Sequence, residues 1–214
     1  MTSEVIGSGK GKVARELGQK YVYVEQHDPE LTAGQAESYY HLTRIASLLF
    51  PDVIPQVGAA SFDKTTQKAG FIVEKVAHDP LHARHQAYLS AKAAGNDDVS
   101  EWSKINEEFK KRALEPEYQT ITGEILAAGF TGYEVEPHNV SRDSDGKLKF
   151  FDLEPAWHQW KPGEVWKYKL NFAPNTLLAA IDKLPTDEKK LAIDAYKRIR
   201  DLAPTELKDQ LPAV

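Results

Sequence analysis

The chain has no cysteine and only one methionine. Without cysteine, disulfides, thiolate catalysis and cysteine-based zinc sites are excluded. No run reaches the roughly 18 apolar residues that a membrane-spanning helix needs, so no such helix is expected. The opening residues, MTSEVIGSGKGKVARE, hold no apolar core of signal-peptide length. Positive charge is not in excess either. Twenty-seven Lys and Arg face 32 Asp and Glu, a net charge of −5, with a pI near 5.8. That balance argues against a general affinity for nucleic acid or anionic membranes. No repeat or low-complexity tract is visible. The expectation is a soluble cytoplasmic monomer with no nucleic-acid or membrane partner. A secreted effector without a classical signal would read the same way.

What is present is a chain of 214 residues with 41% hydrophobic content, sufficient for one large domain or two small lobes around one core. The N-terminal part reads as strands: Val5-Ile6 entering a glycine-rich turn, Val13 to Leu17, and Lys20 to Gln26. Thr32 is a good N-cap for a helix whose apolar stripe runs from Ala36 to Leu49 before Pro51. Two further strands follow, Gln56 to Phe62 and Gly70 to Val76. Beyond His78-Asp79-Pro80 the character becomes helical: Leu81 to Ala94, Val99 to Leu114, Glu117 to Ala128 after Pro116, and the region from about Asn175 onward. The division is a β-rich lobe over 1–77 and a helical lobe over 78–214. Ligands favour the cleft between such lobes.

The residues richest in chemistry lie at 129–157, GFTGYEVEPHNVSRDSDGKLKFFDLEPAW. Gly129 ends a helix, Val140-Ser141 starts a short strand, Asp143-Ser144-Asp145-Gly146 is a hairpin turn, and Leu148 to Phe151 returns. Such a hairpin brings Asn139 and Asp152 to the same end. An amide oxygen beside a carboxylate suits a hard cation such as Mg2+.

This segment resembles the catalytic loop and metal motif of protein kinases and of small-molecule kinases such as the aminoglycoside phosphotransferases, H-[RG]-D-L-x-P-x-N followed by a hairpin and D-[FL]-x. Aligned on Pro137 and Asn139, Glu134 falls where the family has its catalytic Asp, and Gly132 replaces the preceding His. The resemblance implies an α+β, two-lobed protein-kinase-like fold. It has a small antiparallel N-lobe with one helix, and a reduced helical C-lobe. It also implies ATP and Mg2+ as cofactors, Asn139 and Asp152 as metal ligands, and Glu134 as the group that takes the acceptor's proton. Glu136 is a second candidate for that role. GSGKGKV (7–13) resembles the glycine-rich phosphate loop, one residue short. Gly7, Ser8, Gly9, Lys10 and Gly11 would then contact nucleotide. A Walker A reading fails, because Ile6 replaces its first glycine and Val13 its Ser or Thr. Glu37 matches the family's helix glutamate. Glu25 stands where the family's strand lysine belongs, so Lys12 or Lys10 of the glycine-rich loop would take its place, Lys12 being the better candidate by resemblance to the with-no-lysine kinases. The backbone around Glu74 and Val76 resembles the adenine-binding hinge, and Asp79 lies where it can meet the ribose.

Each element has a plainer reading. The glycines can form a simple turn. Glu37 can be a helix-start carboxylate favoured by the dipole. Asp143 and Asp145 are turn formers. His78, His82 and His85 read better as a solvated helix face than as metal ligands. Trp157, Trp160 and Trp166 read as packing under the hairpin. Taken in order along the chain, the elements favour an ATP- and Mg2+-dependent phosphotransferase acting on a protein or small-molecule hydroxyl. Absence of the strand lysine, the catalytic Asp and its His keeps two alternatives open: a pseudokinase that binds nucleotide or a partner, and a kinase fold used for adenylyl transfer.

Overall fold

The computed structural model describes residues 5–9, 12–26, 31–63, 68–77, 79–131, 135–151, 153–162, 165 and 167–214. Three strands open the chain, β1 (Val5–Gly9), β2 (Lys12–Leu17) and β3 (Tyr21–Gln26), followed by helix α1 (Ala33–Leu49) and strands β4 (Val57–Asp63) and β5 (Lys68–Glu74). All five strands pair antiparallel in the order β1-β2-β3-β5-β4. Helices α2 (Pro80–Ala93), α3 (Val99–Ala113) and α4 (Pro116–Ala127) come next. Two separate hairpins follow, β6 (Val140–Arg142) with β7 (Leu148–Phe150), and β8 (Trp157–Trp160) with β9 (Lys167–Leu170). Helices α5 (Pro174–Ile181), α6 (Thr186–Leu202) and α7 (Thr205–Lys208) close the chain. The architecture is α+β, an antiparallel N-terminal sheet with one helix and then a helical remainder, in the two-lobed order that the sequence implies.

Local chemistry sets the helix limits. Thr32 and Gln35 form a reciprocal capping box at the start of α1, with Gln35 N–H donating to Thr32 Oγ1 at 3.2 Å and Thr32 N–H to Gln35 Oε1 at 3.0 Å. Helix α1 buries Ala36, Tyr39, Tyr40, Leu42, Ile45 and Ala46 around most of its circumference, and Tyr39 and Tyr40 meet Phe71 of β5 at 5.3 and 5.6 Å. Pro116 opens α4 without needing an N–H partner. Gly129 ends the segment at φ +99°. There a Cβ would stand 2.8 Å from Leu177 N and 3.0 Å from Ala173 O.

One main core runs from the sheet through α1 and the first hairpin to α5, α6 and α7. It crosses the seam expected near residue 77, and α1 packs along α6. Gly34 permits the approach, since a Cβ at that position would lie 3.3 Å from Leu202 O. A smaller cluster of Leu81, Tyr88, Ile105 and Phe109 joins α2 to α3.

Several local expectations change. β1 continues through Gly7, Ser8 and Gly9, so these residues are strand and not turn. The hairpin β8–β9 is additional to the sequence reading. Trp157 is buried as expected but Trp160 is exposed; Trp166 lies outside the described residues. His82 and His85 are buried, not solvated. The His82 ring packs edge-on to Phe151 at 4.9 Å and the His85 ring to Phe109 at 5.3 Å. His78 lies outside the described residues.

Candidate functional site

The first hairpin is built from its turn outward. Asp143 Oδ1 accepts the N–H groups of Asp145 and Lys147, both at 2.9 Å, and Gly146 takes φ +78°. These bonds confirm Asp143 as a turn former. The register pairs Arg142 with Leu148, Ser141 with Lys149 and Val140 with Phe150. At the open end Phe151 N–H donates to Asn139 O at 2.9 Å. Asn139 is therefore held across from Phe151, the immediate neighbour of position 152. Asn139 is 9% exposed and ends a one-turn 3-10 helix, Pro137–Asn139, its own N–H donating to Glu136 O at 2.9 Å. Glu136 carries His138 on its carboxylate at 3.2 Å. Glu134 and Asp152 lie outside the described residues.

Three hydrogen bonds tie this hairpin and the segment after it to α1 and the loop that follows α1. Phe150 N–H donates to Val53 O at 2.9 Å. Just beyond position 152, Ala156 N–H donates to Ser38 Oγ at 3.1 Å, and Gln35 Nε2 to Trp157 O at 3.3 Å.

The linker into α2 is fixed by a buried ion pair that the sequence reading missed. Arg112 of α3 places one guanidinium nitrogen 2.7 Å from Asp79 Oδ2, each side chain 9% exposed, and the other 2.8 Å from Val140 O. Asp79 Oδ2 also accepts Arg142 N–H at 2.9 Å, and Oδ1 accepts His82 N–H at 2.9 Å as the N-cap of α2. Ser141 Oγ bridges Asp79 N–H and Ala77 O at 2.8 and 3.0 Å. Burial raises the Asp79 carboxyl. The backbone donors of His82 and Arg142, with the Arg112 charge, outweigh that and hold it below its ordinary value. Both carboxylate oxygens are thus engaged within the protein. The Asp79-Pro80 pair was a legible N-cap signal; the Arg112 partner had no local signal.

In the sheet, Gly7, Ser8 and Gly9 pair with Ala14, Val13 and Lys12; Lys10 and Gly11 lie outside the described residues. Lys12 in turn stands across from Gln26 of β3. Alternation along β3 puts Val22, Val24 and Gln26 on the face turned to the core and Glu25 on the other. Gln26 is buried, and neither atom of its amide group has a hydrogen-bond partner among the described residues. The core-facing position next to the expected lysine slot is therefore this glutamine.

Glu37, 12% exposed, accepts from Arg198 Nε of α6 at 2.5 Å and lies 3.6 Å from His41 Nε2. It faces the seam between α1 and α6. At the end of β5, Glu74 N–H donates to Gln56 O and Lys75 N–H to Lys20 O, both at 2.8 Å. Among the described residues the Val76 peptide groups have no backbone partner. A cavity of about 360 Å³ lies between this segment and the hairpin turn, lined by Glu74, Val76, Asp145, Lys147 and Lys149 among others. It opens beside the turn end of the hairpin, and its walls are mostly charged.

Among the described residues no cluster of three His, Asp or Glu side chains is placed to hold a metal ion, and no helix is long and apolar enough to cross a membrane. By residue type, an Asn amide oxygen and an Asp carboxylate are the hard oxygen donors that Mg2+ accepts.

No family model matches the chain, and no curated protein matches it. Solved structures give distant likenesses. The aminoglycoside phosphotransferase APH(2")-IIia, in its GDP and kanamycin complex, overlaps with TM-score 0.38 at 9% identity over 93% of this chain and 81% of its own. A MAP kinase from Leishmania major gives 0.37 at 14% identity over 92% of this chain and 56% of its own. The proinflammatory kinase CtkA of Helicobacter pylori gives 0.33 at 11% identity over 100% of this chain and 86% of its own. Overlaps this loose decide neither activity nor site.

Proposed function

We propose that the protein is an ATP- and Mg2+-dependent phosphotransferase, acting as a cytoplasmic monomer on a hydroxyl of a protein or small molecule. The observation that carries this reading is the hairpin register, with Asn139 bonded across to Phe151 beside position 152. Asn139 and Asp152 would hold Mg2+, which supplies neutralising charge for the phosphates. Lys12 and the backbone of Gly7 to Gly11 would cradle those phosphates. The backbone around Glu74 to Val76, where the Val76 peptide has no backbone partner among the described residues, would bind the adenine edge. Glu134, with Glu136 as the second candidate, would take the acceptor's proton. Catalysis in this arrangement is mainly positioning and charge stabilisation.

A second reading is a pseudokinase that binds nucleotide or a partner without transfer. Two observations favour it. The core-facing end of β3 offers Gln26 and no lysine, and Glu37 is occupied by Arg198.

A thermal-shift titration with ATP, with and without Mg2+, tests binding. Phosphotransfer requires a shift that grows with Mg2+ and disappears in Asp152→Ala. An unchanged shift in that variant would sink the metal assignment, and no shift at all would remove both nucleotide-dependent readings. Label from γ-labelled ATP then supports phosphotransfer, label from α-labelled ATP supports adenylyl transfer, and binding without either supports the pseudokinase.

A further inference from the structure

No residue of the second hairpin, β8–β9, belongs to the proposed nucleotide site. Its register pairs Trp157 with Leu170, His158 with Lys169, Gln159 with Tyr168 and Trp160 with Lys167. Opposite residues share a face and successive residues alternate. Trp157 and Leu170 are buried, so their face is inward. The other face carries His158, Trp160, Lys167 and Lys169. Trp160 is 46% exposed, and both lysines are exposed. Neither lysine has an ion pair or side-chain hydrogen bond among the described residues. Unpaired lysines are ordinary on a solvated surface. Beside them Trp160 adds a large flat apolar area with a polar N–H edge, the kind of side chain that interfaces use.

The spacing on this face indicates what fits it. Lys167 and Lys169 are two residues apart on one strand, about 7 Å. That is also the repeat of same-side side chains in any extended peptide. Trp160, directly across from Lys167, adds a flat apolar surface beside the two charges. The ribbon begins only five residues after position 152, and its root is pinned to α1 through Ala156 and Trp157.

We propose that this face docks an extended acidic segment of a partner protein. Carboxylates two residues apart would meet Lys167 and Lys169, and an apolar or aromatic side chain would lie on Trp160. Calling that segment the flank of a phosphate acceptor rests on the phosphotransferase reading; the docking itself does not. A protein segment fits better than nucleic acid, because the net charge of −5 repels a continuous polyanion beyond the immediate patch.

The test is fluorescence anisotropy with a fluorescein-labelled peptide of Glu-Ser repeats that ends in a Phe, and the full chain, without ATP. Saturable binding is expected, weakening several-fold as salt rises from about 0.05 to about 0.3 M. The double variant Lys167→Glu/Lys169→Glu should lose at least about tenfold in affinity, and Trp160→Ala several-fold. All three side chains are exposed, so the variants should melt as the wild type does; Lys167→Gln/Lys169→Gln replaces the reversal if it does not. The proposal is overturned if the wild type does not bind the peptide, if the double variant binds equally, or if an oligothymidylate of equal charge binds more tightly. Peptide binding without an ATP–Mg2+ thermal shift would remove the phosphotransferase reading and leave the docking face standing. The reverse result would remove the docking face alone.

Discussion

Asp79 offers two carboxylate oxygens and three strong donors meet them: His82 N–H on Oδ1, and Arg142 N–H with the Arg112 guanidinium on Oδ2. Removing the carboxylate would leave Arg112 buried with Val140 O as its one hydrogen-bond partner among the described residues and would strip the N-cap from α2. Breaking such a pair from one side costs about 3–5 kcal/mol. Asp79→Ala should therefore lower the urea midpoint by an amount equivalent to about 3 kcal/mol or more. Asp79→Ala/Arg112→Met, which removes the stranded charge as well, should recover part of the loss; a double variant less stable than the single would contradict this account. The carboxyl is held below its ordinary value in the fold. Its contribution is accordingly complete above the unfolded-state pKa and lost as pH falls through the folded one.

At the scale of the element, the helix limits depend on single residues with a mechanical reason to be there. Gly129 combines φ +99° with backbone of α5 at 2.8 Å from where a Cβ would be. Gly129→Ala should cost about 2 kcal/mol by thermal or chemical denaturation. Gly146→Ala, at φ +78° with nothing within 4 Å, should cost about half of that; equal losses would mean the α5 contact contributes nothing. Gly129, Thr32 and Pro116 were all readable, which is why α1 and α4 could be bounded from sequence; α2 was placed by the change of character after His78-Asp79-Pro80, without its cap. The first hairpin was readable too, through its Asp-rich turn and flanking Val140, Leu148 and Phe150. The second hairpin was not. Its strands, WHQW and KYKL, are short and mix aromatic with charged residues, so no apolar alternation announces them. Of the site, the pairing of Asn139 with the residue beside Asp152 followed from the hairpin pattern. The face occupied by Gln26 did not, because an alignment fixes a position but not which side of a strand it takes. Nor did the Glu37–Arg198 pair, which joins residues far apart in the chain and has no local signature.

On the scale of the whole molecule, α1 is bound on both sides, to the sheet through Tyr39, Tyr40 and Phe71 and to α6 through Glu37, Arg198 and the close approach at Gly34. His41 sits in this region, 13% exposed on its side chain, with Phe62 stacked at 6.3 Å and Tyr40 edge-on at 4.9 Å. Burial drives its pKa from 6.5 down to about 4, against the pull of Glu37, and Arg198 and Arg44 add to the depression. The unfolded chain therefore binds a proton at His41 between pH 6.5 and 4 that the folded chain does not. Stability must rise with pH across that window and fall on acidification. His85, also lowered by burial and by His138, acts in the same direction, so only a difference between variants isolates one ring. Between pH 7 and pH 5 the wild type should lose on the order of 1–2 kcal/mol more, by urea denaturation, than His41→Gln loses over the same interval. The variant starts lower at pH 7 because its amide replaces a packed ring, but its curve should be flatter. An equal acid loss in the two proteins would mean that His41 takes up its proton without leaving the fold. Glu37, 3.6 Å from its Nε2, would then be holding the imidazolium in place.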